Sequence, residues 1–180
     1  MSRNLQPERL NMQAFAQDGV PLVQITPLQK LERLSEEVQS PQPELSVSWQ
    51  ATGELRARAG TEGEVWLHLQ AKTTVPLTCQ RCMAAVATPL LVDQWYRFVA
   101  DEDIALAEDD QFEEDLLVLA PQFDLLAVLE DELLMALPLV PMHEVCPELP
   151  SFSAGVADLA GPGEPKPHPF AALAQLKKKP

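Results

Sequence analysis

The chain has 180 residues, 46% of them hydrophobic, and a formal net charge of −14 from 13 Lys and Arg against 27 Asp and Glu. This length argues against two large domains and leaves room for a core that needs no disulfide framework. The acidic balance argues against binding nucleic acid or anionic lipid through the whole surface.

The N-terminal segment, residues 1–22, contains no apolar run of the kind that marks a secretory signal, so a cytoplasmic protein is predicted. The most apolar stretch, Leu116 to Leu139, is interrupted by acidic residues, which argues against a membrane span. In a reducing compartment, the three cysteines point to metal ligation or buried thiols before disulfides.

A core domain over 23–146 is predicted to start with a short amphipathic helix after Thr26-Pro27. Apolar residues recur there at helical spacing, namely Leu28, Leu31, Leu34 and Val38. Alternating apolar residues then predict antiparallel strands over 45–51, 55–59 and 65–69.

Glycines mark the expected turns between these strands, at Thr52-Gly53 and at 60–63, because glycine accepts the positive φ of tight turns. A fourth long strand is predicted over about 86–98 from the same alternation. It contains Pro89, which suggests a sheet edge or a bulge.

Residues 101–115 carry nine acids and no base, a composition typical of a solvated, mobile loop. A helix should follow, with one apolar face that consists of Phe123, Leu126, Leu129, Leu133 and Leu137, and Pro138 should end it. Its acids at 130–132 point about 100° apart in a helix, so they are predicted to form a solvated flank rather than a site.

From residue 147 the chain is a tail rich in proline and glycine, which closes on a short apolar segment and three lysines. The sequence therefore predicts an α+β fold: an antiparallel β-sheet or partly open barrel, one or two packed helices, and the extended tail 147–180.

The most specific local motif is Cys79-Gln-Arg-Cys82, placed at the turn between two predicted strands. Such a spacing brings two thiolates to one side, as a tetrahedral zinc ion requires. His143 and Cys146, in the loop after the last helix, would complete a Cys3His set. Four protein ligands leave no open position, so such a zinc would be structural.

Plain reduced thiols at a hairpin tip remain an alternative for the cysteines. A thioredoxin-like redox site is disfavoured, because that chemistry requires the motif to open a helix. His68 is predicted to be a surface or cross-strand residue, and His168 a solvated residue of the tail. The sequence contains no motif of the common hydrolases, nucleotide-binding folds or zinc proteases.

Three segments together resemble the YceD family, described as large ribosomal RNA subunit accumulation proteins. They are the cysteine motif from Leu77 to Cys82, the helix and loop from Val128 to His143, and Pro169-Phe170-Ala-Ala-Leu173. The resemblance covers roughly residues 20–180 and implies a cytoplasmic factor for synthesis, processing or stability of large-subunit ribosomal RNA, without established catalysis. Many relatives look like metal binders with a second cysteine pair, where this chain has His143 and Cys146. The resemblance also shows Asn in many relatives where this tail has His168.

The strong acidity suggests that such a protein acts through proteins, so a basic ribosomal protein or assembly factor is the expected partner, with RNA contacted at most indirectly. No small-molecule substrate and no membrane are expected. The predicted contact residues are Asp101, Glu102, Asp103, Glu108, Asp109, Asp110, Phe170, Lys177, Lys178 and Lys179. Two alternatives are a metal-dependent RNA-processing enzyme and an acidic protein-binding adaptor unrelated to ribosomes.

Overall fold

A computed structural model describes residues 6–40, 43–57, 63–108 and 114–147, so almost all of the predicted tail lies outside the described residues. The strands are β1 (Leu22–Pro27), β2 (Ser46–Arg56), β3 (Glu64–Thr78), β4 (Ala85–Val99) and β5 (Asp115–Val118). The helices are α1 (Met12–Asp18), α2 (Glu32–Glu37), α3 (Glu102–Glu108) and α4 (Leu125–Met135), with short 3-10 turns at Pro7–Arg9 and Leu28–Lys30.

The strands form one open sheet in the order β1-β2-β3-β4-β5. The first four are antiparallel, and β5 pairs in parallel with the last residues of β4. The predicted α+β class is confirmed, with a mixed sheet that does not close into a barrel. β5 pairs only with residues 96–99 of β4, so Pro89, which has no N–H, does not remove any hydrogen bond between β4 and β5.

Alternation along the strands gives the sheet one buried face, which α1, α2 and α4 cover. Typical members of this core are Trp49, Leu67 and Leu69 from the sheet and Leu129 and Leu133 from α4. The opposite face is largely open. There His68 stacks on Trp95 at 4.2 Å between ring centroids, which agrees with the predicted cross-strand role.

The predicted turn at Thr52-Gly53 is wrong, because β2 runs unbroken through both residues. Gly53 serves a different purpose: a Cβ at this position would lie 2.8 Å from the Cα of Ala16 in α1. The glycine therefore lets a helix approach the sheet closely. The predicted strands over 45–51 and 55–59 are thus one strand as far as Arg56, and residues 58 and 59 lie outside the described part.

The N-terminal part of the chain contains two elements that the sequence pattern did not predict. Residues 12–18 form α1 and residues 22–27 form β1, while the predicted first helix is divided into a 3-10 turn and the short α2. In the acidic segment 101–115, residues 102–108 form α3 and β5 begins at Asp115. A fully irregular loop is therefore the wrong description of that segment.

The last predicted helix is confirmed as α4, with small differences in its buried face. Leu125, rather than the predicted Leu126, is fully buried in the core. Phe123 lies before the first residue of the helix, and its backbone forms hydrogen bonds with the backbone of Leu10. Asp124 caps the helix by accepting from the N–H of Ala127. Glu130 is buried rather than part of a solvated flank, because it binds Arg33 and the backbone of α2.

Candidate metal centre

Cys79 and Cys82 lie in the tight turn that joins the two longest strands, β3 and β4. Within it the N–H of Cys79 donates to the carbonyl of Ala84, and the N–H of Met83 donates to the carbonyl of Cys79, each at 2.9 Å. Met83, directly after the second cysteine, has a φ of 62°. This left-handed conformation, rare for a residue with a side chain, reverses the chain and places both sulfurs on one side.

His143 and Cys146 lie in the segment that follows α4, and backbone bonds attach this segment to the cysteine turn. The N–H of Gln80 donates to the carbonyl of Pro141 at 2.9 Å. The helix ends just before Pro138, which cannot continue it, and this directs the chain across to the β3–β4 turn. Two pairs of residues about sixty positions apart in sequence are thereby brought together.

The four predicted ligands converge in the structure. Their donor atoms all lie within 4.8 Å of one another. The sulfurs of Cys79 and Cys146 are 3.9 Å apart, and the sulfur of Cys82 is 3.5 Å from Nδ1 of His143. Metal–sulfur bonds of about 2.3 Å place tetrahedral ligand atoms roughly 3.5–4 Å apart, so the observed spacing fits one ion.

A hydrogen bond on the far side of the imidazole determines which nitrogen faces the site. Nε2 of His143 lies 3.1 Å from the carbonyl oxygen of Ala85. A carbonyl only accepts, so Nε2 donates this bond, and Nδ1 is the ring nitrogen that faces the sulfurs. Such a bond is the usual outer-shell support of a metal-ligating histidine.

The electrostatics of the two buried cysteines differ. Burial opposes ionisation of Cys79, but N–H groups of His143, Cys82 and Arg81 outweigh it and lower the pKa of Cys79 to about 5. Burial, together with the neighbouring Cys82 and Cys79, raises the pKa of Cys146 to about 11. Of the two buried cysteines, Cys79 is therefore the one that ionises more readily, and a bound cation would displace the proton of Cys146.

The set is closed and partly shielded from solvent. Cys79 and Cys146 are buried, while Cys82 and His143 are half-buried. Three sulfurs and one imidazole are a recognised structural ligand set, and they fill a tetrahedron without leaving a position for water. The cluster could therefore bind a metal ion that joins the β3–β4 turn to the segment after α4.

The predicted contact residues of the acidic segment are placed only in part. Glu102 and Asp103 are exposed in the first turn of α3, and Asp101 caps this helix by accepting from the N–H of Ile104. Glu108 forms a salt bridge with Arg97, which reduces its availability to a partner. The other predicted contacts lie outside the described residues, namely Asp109, Asp110, Phe170, Lys177, Lys178 and Lys179.

Sequence reasoning missed Arg97, whose side chain is 2% exposed and pairs with Glu64 at 3.2 Å as well as with Glu108. An arginine within the apolar end of a predicted strand was the available signal. It also missed the backbone carbonyls of Ala85 and Pro141, because any residue type carries a carbonyl and the sequence therefore does not mark these acceptors.

None of the helices in the described ranges has the length and apolar character needed to cross a membrane.

Comparison with known proteins identifies relatives of the chain. Residues 67–177 match the family model described as large ribosomal RNA subunit accumulation protein YceD. A protein of that name from Haemophilus influenzae is 38% identical over an alignment of 115 residues, and the match covers 58% of this chain and 61% of the relative. The chain thus spans less than two thirds of that relative's length. No solved structure matches.

Proposed function

This chain belongs to the YceD family, and from that membership we propose that it promotes accumulation of large-subunit ribosomal RNA in the cytoplasm, as a factor in ribosome biogenesis. The observation that carries the proposal is the match over residues 67–177, which includes all four residues of the metal cluster. The role named for the relatives and the most specific chemical feature of this chain therefore fall in the same region.

The metal proposed for the cluster is zinc in a structural role. Three thiolate sulfurs favour a borderline-soft ion over Mg²⁺ or Ca²⁺, which prefer oxygen ligands. Because the protein already supplies four ligands, no position remains at which water could be activated for RNA cleavage. The closed ligand set supports a non-catalytic role, which we propose for the protein, and no small-molecule substrate is proposed.

The proposed partner is a basic ribosomal protein or assembly factor, because a chain of net charge −14 attracts cationic proteins and repels RNA phosphates. The exposed carboxylates of Glu102 and Asp103 are the described groups that suit such a contact. Within the described part of the chain, neither side chain caps a helix or forms an ion pair, so their neutralisation should leave the fold unchanged.

Depletion of the protein in its native cell tests the function directly, with large- and small-subunit ribosomal RNA measured alongside sucrose-gradient profiles. A selective loss of large-subunit RNA is expected, and an unchanged ratio during rapid growth would contradict the role and favour an adaptor unrelated to ribosomes. Complementation with Cys79→Ser should fail to restore the RNA. The matched control is Val145→Ser, which changes an exposed residue between two ligands.

The partner contact has its own test. Glu102→Gln/Asp103→Asn should reduce retention of proteins extracted from purified large ribosomal subunits, and the reduction should be larger at low salt. Glu36→Gln/Glu37→Gln removes two exposed charges from α2 and serves as the control. Equal losses in both variants would mean that general acidity, rather than α3, attracts these proteins.

A further inference from the structure

The outer edge of β1 has the properties of a strand-accepting surface. The described residues give β1 no neighbour on the side away from β2. Its side chains alternate, so Val23 and Ile25 both point to the open face of the sheet, where they are 64% and 70% exposed. An edge strand of this kind displays a row of backbone donors and acceptors beside two apolar side chains.

Edges of natural sheets are usually protected by charged side chains, bulges or a covering element. Residues 22–26, Leu-Val-Gln-Ile-Thr, contain no charge, and prolines stand only at the two ends, at 21 and 27. The strand is paired in regular register with β2 over all six residues. Within the described ranges, the middle of this edge is therefore regular in register, neutral and not covered by another element.

Carboxylates stand near both ends of this neutral stretch. Exposed Asp18 ends α1, four residues before β1 begins. Exposed Glu44 is adjacent to Leu45, whose carbonyl accepts from the N–H of Leu28 at 2.9 Å, just beyond the end of β1. A segment laid along the edge would meet apolar side chains in its middle and negative charge at its ends.

We propose that β1 accepts an extended segment of a basic partner protein as a sixth strand, in a contact that deepens the proposed function and rests on it. The segment would have apolar residues at alternate positions to cover Val23 and Ile25, and Lys or Arg towards its ends. A second copy of this chain fits less well. Antiparallel pairing of two β1 strands brings the Asp18 end of one copy to the Glu44 end of the other, where like charges repel.

Hydrogen exchange on the full chain tests this contact, with proteins extracted from purified large ribosomal subunits as the probe. Alternate N–H groups of β1 point outward, and these should exchange at least five-fold more slowly when the probe is present. Val23→Lys/Ile25→Lys should abolish this protection, because it places two like charges against a basic segment. Both side chains are exposed, so the fold should persist.

Leu91→Lys is the matched control, since Leu91 is 74% exposed on the same open face, in register with Ile25 but on β4. It should retain the protection of β1. Protection confined to α3, or none at all, would overturn the proposal for β1. Protection of β1 in the chain alone, together with dimers by light scattering, would overturn it in favour of a second copy.

The depletion experiment separates this proposal from the function on which it rests. If loss of the protein lowers large-subunit RNA and the Val23→Lys/Ile25→Lys variant restores it fully, the strand contact is wrong and the function stands. If depletion leaves the RNA unchanged but the probe still protects β1, the contact stands and the function fails.

Discussion

The buried carboxylate of Glu130 shows how one residue can join two distant segments. Its Oε1 accepts from the N–H of Leu34 at 3.2 Å, and its Oε2 accepts from Nε of Arg33 at 3.0 Å. The side chain is only 11% exposed. Its removal would leave a buried N–H of α2 without this acceptor, which costs more than the bond itself contributes.

Glu130→Ala should therefore lower the free energy of unfolding by about 1–3 kcal/mol, measured by urea denaturation. Asp131→Ala is the control, because Asp131 pairs with the same Arg33 but is 56% exposed. Its loss should be at most about 1 kcal/mol. Similar losses in the two variants would show that the buried hydrogen bond from Leu34 to Glu130 contributes no more to the free energy of unfolding than the exposed ion pair does.

The exposed Asp93 offers a test of electrostatics on the open face. Hydrogen bonds from His68 and then Gln70 hold the pKa of Asp93 below its ordinary value. A carboxyl group with a lowered folded-state pKa stabilises the fold above its unfolded pKa, and this contribution is lost as the pH falls through the folded value.

His68→Ala should raise the pKa of Asp93 towards the ordinary range, and Gln70→Ala should raise it less, since His68 contributes the larger effect. A carbon-13 NMR titration of the Asp93 carboxyl measures both shifts. An unchanged titration curve in His68→Ala would show that this contact, 2.6 Å between Nε2 and Oδ1, does not persist in solution.

At the scale of elements, the position of α1 depends on Gly53. An alanine there would place its Cβ 2.8 Å from Cα of Ala16 and 2.8 Å from Cδ1 of Phe15, both of them buried. Gly53→Ala should displace the helix, cost about 1–3 kcal/mol, and speed hydrogen exchange in residues 12–18. Thr52→Ala, whose side chain faces the other side of the sheet, should leave exchange in α1 unchanged.

The same helix explains why the N-terminal elements were not predicted. α1 has only seven residues, too few for stability in isolation, so its order comes from packing against β2 rather than from its own sequence. β1 likewise depends on pairing with β2, whose partner residues lie 19 to 29 positions further along the chain. The short β5, parallel to β4 and preceded by eight acids in residues 101–114, gives no local sequence signal of its own.

The longer elements and the candidate metal ligands were predictable for a physical reason. β3 and β4 each extend over 15 residues, which gives the alternation of period two enough length to be recognised. The turn between them then fixes the place of Cys79 and Cys82. Pro138 marks the end of α4, so His143 and Cys146 were expected in a loop, although only the structure shows that this loop reaches the turn.

For the whole molecule, the proposed zinc ion joins two peripheral segments rather than supporting the core. The large apolar core lies between the sheet and the helices, and none of the four ligands is a member of it. Metal loss should thus open the site locally. This differs from small zinc fingers, which unfold without metal because they have little else to stabilise them.

Untagged protein should contain about one zinc ion per chain, and chelation should leave the far-ultraviolet circular dichroism nearly unchanged while lowering the thermal midpoint. On chelation, amide hydrogen exchange should become faster in residues 79–85 and 139–147 and stay constant in β2. Cys146→Ser should produce the same pattern of exchange, and Val145→Ser should not. Protein purified without chelator that contains no metal would favour plain thiols. Global unfolding on chelation would instead mean that the sheet and its helices cannot hold their packing unless the β3–β4 turn is tied to the segment after α4.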